Sequence, residues 1–173
     1  LLEHEGLRRR AIFGVSMQLY LMRHGEAGFD ASVDSQRTLT DLGQREVLHM
    51  GARLTQELSL CELVLVSPYV RAQQSWICLQ AALPDDVQVE TLEELVPNAD
   101  PVLSHDVIAA YAEAHGAERV LVVAHMPLLA YLVREFVPGV EPPLFATAAV
   151  ASVKSEPGAE LQWLKSPTMP VLL

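Results

Sequence analysis

Three short apolar runs punctuate the chain: Leu19-Tyr20-Leu21-Met22, Leu63-Val64-Leu65-Val66 and Val120-Leu121-Val122-Val123. None alternates with polar residues, which is the pattern of parallel strands covered on both faces rather than of a sheet with one wet side. Val87 to Thr91 is a weaker strand candidate. Between the runs the spacing turns helical. From Asp41 to Leu58, Val47, Met50, Leu54 and Leu58 recur on one face, behind Thr40 as N-cap. A second helix is expected from Pro68 to Leu83, with Ser67 as cap and Pro68 in the first turn. A third starts at Asp100-Pro101, presents Leu103, Val107, Ala110, Tyr111 and Ala114, and stops at Gly116. A fourth starts at Pro127, carries Leu129, Leu132, Val133 and Phe136, and ends at Pro138-Gly139. Ala148 to Lys154 and Glu160 to Lys165 read as two strands joined by the turn Glu156-Pro157-Gly158. Strand then helix, repeated, predicts an α/β fold: a three-layer α/β/α sandwich around a mostly parallel central sheet.

A chain of 173 residues fits one domain, expected over residues 17–173. Residues 1–16 are expected to be a disordered or non-native extension. The basic Arg8 to Arg10 followed by Ala11-Ile12-Phe13-Gly14-Val15 opens like a signal peptide, but the apolar stretch is short and a strand follows at once. The formal net charge of −10 argues against nucleic acid or an anionic membrane surface as partner, since both would repel it. It does not argue against a phosphorylated substrate, provided the positive charge is gathered in one pocket. The two cysteines, Cys61 and Cys78, form no C-x-x-C or zinc pattern, which points to a cytoplasmic protein without a disulfide framework or structural metal. No apolar run approaches the length of a membrane span.

The three best strands all end in residues suited to phosphate. The first runs into Arg23-His24-Gly25, the second into Ser67-Pro68 with Arg71 just beyond, and the third into His125 before a proline-started helix. Open α/β sheets bind ligands beyond the C-terminal ends of their strands, so the three sets belong to one edge. A transferring phosphoryl group spreads negative charge over its equatorial oxygens, and fixed cationic donors stabilise it. Arginine suits this task because its planar guanidinium donates two parallel hydrogen bonds and stays charged. A neutral histidine can be the nucleophile if one ring nitrogen donates to a backbone carbonyl and leaves the other free to attack. Gly25 would let the backbone approach His24 closely enough to offer that carbonyl.

Any one of these features alone is as well explained by a surface turn or a structural histidine; the convergence of three on one edge is what favours a site. The remaining histidines, His4, His49, His105 and His115, have no ligand spacing and read as solvated. Other phosphatase chemistries lack their residues. Six positions after Cys61 is Ser67 and six after Cys78 is Pro84, so no cysteine nucleophile is followed by the required arginine. No D-x-D pair, G-x-x-x-x-G-K, G-x-S-x-G or metal-ligand cluster occurs, so no cofactor is expected.

These residues resemble the histidine phosphatase superfamily, also called phosphoglycerate mutase-like. The resemblance rests on Leu21-Met22-Arg23-His24-Gly25-Glu26, Leu39-Thr40-Asp41-Leu42-Gly43, Ser67 through Ser75 and Val123-Ala124-His125. It is closest to the small SixA-type phosphohistidine phosphatases, through Val137-Pro138-Gly139, Pro142-Pro143-Leu144-Phe145 and Ala149 to Val153, and runs from Met17 to the C-terminus. The resemblance implies that His24 becomes phosphorylated and that Arg23, Arg71 and His125 contact the phosphate, with Arg37 as a further pocket arginine. Ser75 stands where threonine is usual and Met126 where glycine is common, two departures expected not to touch the chemistry. The position of Glu94 matches where a general acid falls in the larger members, with Glu26 and Asp34 as rivals; for each, a solvated loop carboxylate is an equally good reading. The implied substrate is phosphohistidine on a signalling or phosphocarrier protein, a histidine phosphotransfer or phosphocarrier domain. The segment between Arg71 and His125 is filled by a helix, a strand and a helix, which leaves no room for a large lid over such a partner. A small-molecule phosphomonoesterase and a phosphate-binding regulator without turnover are the alternatives.

Overall fold

The expected strands form and assemble into one sheet. The structure, a computed structural model, describes residues 16–167. In chain order its elements are β1 (Gln18–Arg23), α1 (Asp41–Arg53), α2 (Thr55–Leu58), β2 (Leu63–Val66), α3 (Val70–Cys78), β3 (Gln88–Thr91), α4 (Pro101–His115), β4 (Arg119–Ala124), α5 (Leu128–Phe136), β5 (Val150–Lys154) and β6 (Glu160–Lys165). The six strands lie in the order β3-β2-β4-β1-β5-β6. β3, β2, β4 and β1 run parallel; β5 is antiparallel to β1, and β6 to β5.

The unalternating apolar runs are explained by cover on both faces. Leu19, Leu21, Leu63, Leu65, Val120 and Val122 pack on one side with Ile108 and Ala112 of α4 and Leu129, Leu132 and Phe136 of α5. Tyr20, Met22, Val64, Val66, Leu121 and Val123 pack on the other with Val47 and Met50 of α1 and Ala72 of α3. This is the three-layer sandwich, with a mostly parallel sheet. The expectation for residues 1–16 falls, apart from Ser16, outside the described residues.

Several boundaries differ from the pattern-based ones. The helix expected from Asp41 to Leu58 breaks at Leu54, whose backbone leaves helical geometry (φ −107°, ψ 24°). There the Thr55 hydroxyl donates back to the carbonyls of Gly51 and Ala52, competing with the helical ladder. Thr40 caps α1 as expected, its side chain accepting from Gly43 N–H. The second helix begins only at Val70 and ends at Cys78, and Ser67 is not its cap. Along α4 the buried face carries Ser104, Ile108 and Ala112, whereas Leu103 is 52% exposed. A polar residue can face inward there because the Ser104 hydroxyl reaches the carbonyls of Glu94 and Asp100. Asp100 and the left-handed Gly116 (φ 63°) bound that helix as predicted.

Strand register is what positions the site. Arg23 pairs with Ala124 at the end of β1 and β4, and Val66 pairs with Val123 at the end of β2. The next residues out, His24, Ser67 and His125, therefore leave the sheet side by side. The helices that follow β1 and β4 leave to opposite faces, which opens a crevice at this edge.

Candidate active site

His24 is 6% exposed and His125 1%, and their ring centroids lie 5.0 Å apart. His24 Nδ1–H donates to the Gly25 carbonyl at 2.7 Å. That bond fixes the tautomer and leaves Nε2 without a hydrogen, the state a nucleophile needs. Arg71, in the first turn of α3 and 4% exposed, donates from Nε to His24 Nε2 at 3.2 Å. Its other nitrogens hold Asp34: Nη1 donates to the Asp34 carbonyl at 2.7 Å and Nη2 to Oδ2 at 3.2 Å. Arg37 reaches the same carboxylate at 3.0 Å, donates from Nε to Gly28 O at 2.8 Å, and stacks its guanidinium on Phe29. Arg23 donates to the Phe145 carbonyl at 2.8 Å, while its Nε is buried without a partner.

Glycine is needed at position 25 for a reason other than the carbonyl. A Cβ there would lie 2.5 Å from Gly43 O, because the first turn of α1 packs directly on the strand end. The paired glycines thus bring α1 against the His24 loop. The Glu46 carboxylate adds a brace, accepting from Glu26 N–H and from the Thr147 hydroxyl.

Charge at the site is positive and crowded. Burial above all, then Arg71, Arg23 and Arg37, lowers the His24 pKa from 6.5 to about 4, against the opposing pull of the Gly25 bond. Burial, His24 and Arg71 lower that of His125 to about 2. Both rings are therefore neutral at physiological pH. Burial and the neighbouring Arg71 also lower the pKa of Arg23. Cations held this close, with buried donors unmet, are an arrangement that an anion such as phosphate would stabilise.

A pH dependence follows. Between about 6.5 and about 4 the unfolded chain binds protons at these histidines that the folded chain refuses, so stability falls as pH falls through that window and is intact above it. Urea-unfolding midpoints should drop on acidification from neutral pH, and the acid limb of kcat/KM should lie near the His24 value of about 4. A flat stability profile across that window, or an acid limb at the ordinary histidine value, would contradict the assignment.

The fold brings together Arg23, His24, Arg37, Arg71, His125 and Asp34. It does not bring the Glu26 or Glu94 carboxylate into hydrogen bonds with them: among the described residues neither bonds to Arg23, His24, Arg71 or His125. Asp34 is bonded to Arg37 and Arg71, which hold its carboxyl below the usual range. A carboxyl so held is ionised at neutral pH while these contacts last. His105 and His115 lie on α4, with ring nitrogens 2.9 Å from an Asp106 carboxylate oxygen and 3.4 Å from one of Glu90. No group of three or more histidine, cysteine, aspartate or glutamate residues among the described ones could hold a metal ion. None of the described helices is long and apolar enough to cross a membrane.

Three sets of contacts were not evident from sequence. The Ser67 hydroxyl lies 2.7 Å from His125 Nε2. The Tyr69 ring lies 5.0 Å from His125 and beneath the Arg71 guanidinium. Ser75, one of the two departures expected to be inert, accepts from Gly25 N–H at 3.1 Å and donates to the Arg71 carbonyl at 2.7 Å, so it ties the His24 loop to α3. Its position four residues after Arg71, on the same helix face, was the available signal.

A parallel sheet whose adjoining strands end in two histidines and converging arginines defines a class. The family model of the histidine phosphatase superfamily (branch 1) matches residues 19–96, and the chain belongs to that superfamily. Among individual proteins, it is 40% identical over 156 residues to "Phosphohistidine phosphatase SixA" of Escherichia coli (strain K12), covering 87% of this chain and 94% of that one. It is 32% identical over 145 residues to the "Phosphohistidine phosphatase SixA homolog" of Haemophilus influenzae (strain ATCC 51907 / DSM 11121 / KW20 / Rd), covering 79% and 87%. It superimposes on the structure of the protein histidine phosphatase SixA complexed with tungstate with a TM-score of 0.80 at 40% identity, over 87% of this chain and 97% of that chain.

Proposed function

We propose that the protein hydrolyses phosphohistidine on a signalling or phosphocarrier protein, through a covalent intermediate on His24. The observation that carries this reading is the state of His24: Nδ1–H is tied to Gly25 O, and Nε2 is unprotonated, accepting from Arg71 Nε–H. The phosphoryl group of the substrate binds to Arg23, Arg37, Arg71 and His125, displacing the contacts of Asp34. His24 Nε2 attacks phosphorus as the bond to the substrate imidazole breaks, and the departing imidazole takes a proton from water. Water then attacks the phosphorylated His24 and releases inorganic phosphate. The guanidinium groups supply the positive charge throughout, so no metal or cofactor is required.

The substrate class follows from the leaving group. An alkoxide needs its proton in the transition state, and general acid catalysis typically contributes about 10²–10⁴-fold. Among the described residues the Glu26 and Glu94 carboxylates are not bonded into the cluster and Asp34 is paired with Arg37 and Arg71, whereas imidazole leaves from the labile P–N bond with less help. The relatives bearing the name phosphohistidine phosphatase support the same choice. A cytoplasmic location fits this reading, since Cys61 and Cys78 are both free thiols.

The test compares kcat/KM on a phosphorylated histidine-containing protein domain and on a simple alkyl phosphate. The first should be much the larger. Glu94→Gln should harm phosphoester hydrolysis more than phosphohistidine hydrolysis, with Glu26→Gln and Asp34→Asn as controls in the same assay. Comparable values on the two substrates would assign the protein to the small-molecule phosphomonoesterases. Binding of phosphate without any phosphoenzyme would make it a regulator.

A further inference from the structure

Ser67 is fully buried at the end of β2, where its Oγ meets two groups, the Tyr69 backbone N–H at 3.2 Å and His125 Nε2 at 2.7 Å. The first can only donate to it. A buried hydroxyl hydrogen left without an acceptor is costly, and among the described residues the one acceptor within reach is His125 Nε2. The hydroxyl therefore donates to Nε2, which carries no hydrogen. A neutral imidazole bears its single hydrogen on the other nitrogen, here Nδ1. That atom is buried and has no partner, and Arg23 Nε is a second buried donor in the same condition. Two unmet donors, one of them on the ring 5.0 Å from that of His24, are suited to oxygen atoms that arrive with a substrate.

We propose that Ser67 is a positioning residue of the reaction: by donating to His125 Nε2 it locks His125 in the Nδ1–H tautomer and presents that proton to an oxygen of the transferring phosphoryl group. The proposal rests on the reading that phosphoryl transfer to His24 takes place here. The two adjoining rings then hold the same Nδ1–H tautomer, fixed at opposite nitrogens by partners that differ in kind. A carbonyl at His24 Nδ1 demands a hydrogen there and frees Nε2 as a nucleophile. A hydroxyl at His125 Nε2 supplies a hydrogen there and leaves Nδ1–H as a donor. In the other tautomer His125 would turn a lone pair towards the phosphate oxygens and repel the charge that Arg23 and Arg71 attract.

The experiment is ¹⁵N–¹H correlation NMR of the histidine rings in the full chain at neutral pH, with inorganic phosphate as probe. His125 should show a protonated Nδ1 and an acceptor-type Nε2, and its Nδ1 proton should move when phosphate is added. Ser67→Ala should release the ring into a mixture containing Nε2–H and lower kcat/KM roughly 10- to 100-fold, less than the full cost of a wrong tautomer because part of the mixture keeps Nδ1–H. Ser67→Thr, which keeps the hydroxyl, should restore both tautomer and rate. A protonated Nε2 in the wild-type protein overturns the proposal, as does a Ser67→Ala protein with unchanged tautomer and rate. If either variant fails to fold, the wild-type spectrum alone decides. Phosphate that shifts the His24 ring but not His125 overturns the role given to His125 and Ser67 only. Phosphate that shifts neither ring overturns the phosphoryl-transfer reading, and this proposal falls with it.

Discussion

His24→Ala should lower turnover by roughly 10⁴-fold or more while the protein stays folded. The expected loss is large because, in the proposed reaction, the substitution removes the atom that forms the covalent bond. The fold survives because the position is secured through its backbone. His24 N–H donates to Ala124 O at 3.1 Å and His24 O accepts from Ala148 N–H at 3.0 Å, and neither bond needs the imidazole. The side chain adds only its bonds to Gly25 O and Arg71. Circular dichroism and a urea titration at neutral pH should therefore resemble those of the wild type, while acid-labile phosphoenzyme should vanish. Activity above a few per cent of wild type would remove His24 as nucleophile. Loss of activity together with loss of the folded signal would show that the ring is structural.

The strands and the residues that end them were legible because their causes are local. A run such as Val120 to Val123 cannot be solvated on either face, so it announces a covered strand, and the residue that leaves such a strand announces the ligand edge. Arg23, His24, Arg71 and His125 were found that way. Their mutual distance was not legible, because it depends on the pairing of Arg23 with Ala124 and of Val66 with Val123 across the sheet. Ser67 was misread for the same reason. Its sequence neighbours suggest a helix cap, but its hydroxyl is engaged across strands by His125, 58 positions away. Arg37 rested on resemblance alone, since nothing in a loop sequence reveals that its guanidinium meets Asp34 and stacks on Phe29. The inward face of α4 slipped because the pattern assumes that only apolar residues turn inward, whereas Ser104 is satisfied by two carbonyls. Among the three candidate acids, sequence could not separate Asp34 from Glu94; the two arginines that grip Asp34 do so.

Arg71→Ala should lower kcat/KM by about two to three powers of ten, the cost of losing a charge-assisted contact worth about 2–4 kcal/mol in the transition state. The guanidinium is nearly buried and spans the site, with one nitrogen on His24 Nε2 and two on Asp34. In the reaction those two nitrogens can turn to a phosphate as a fork, which lysine cannot imitate, so Arg71→Lys should recover only part of the rate. A second effect separates this role from a merely structural one. Arg71 helps to hold the pKa values of both His24 and His125 down. Removing it should therefore raise that of His24, and the acid limb of kcat/KM should move to higher pH. The two readouts are linked by sign: a slower enzyme whose acid limb moves upward has lost a cation beside the nucleophile. A slower enzyme with an unmoved acid limb has lost something else, and a drop of less than tenfold would remove Arg71 from the phosphate site.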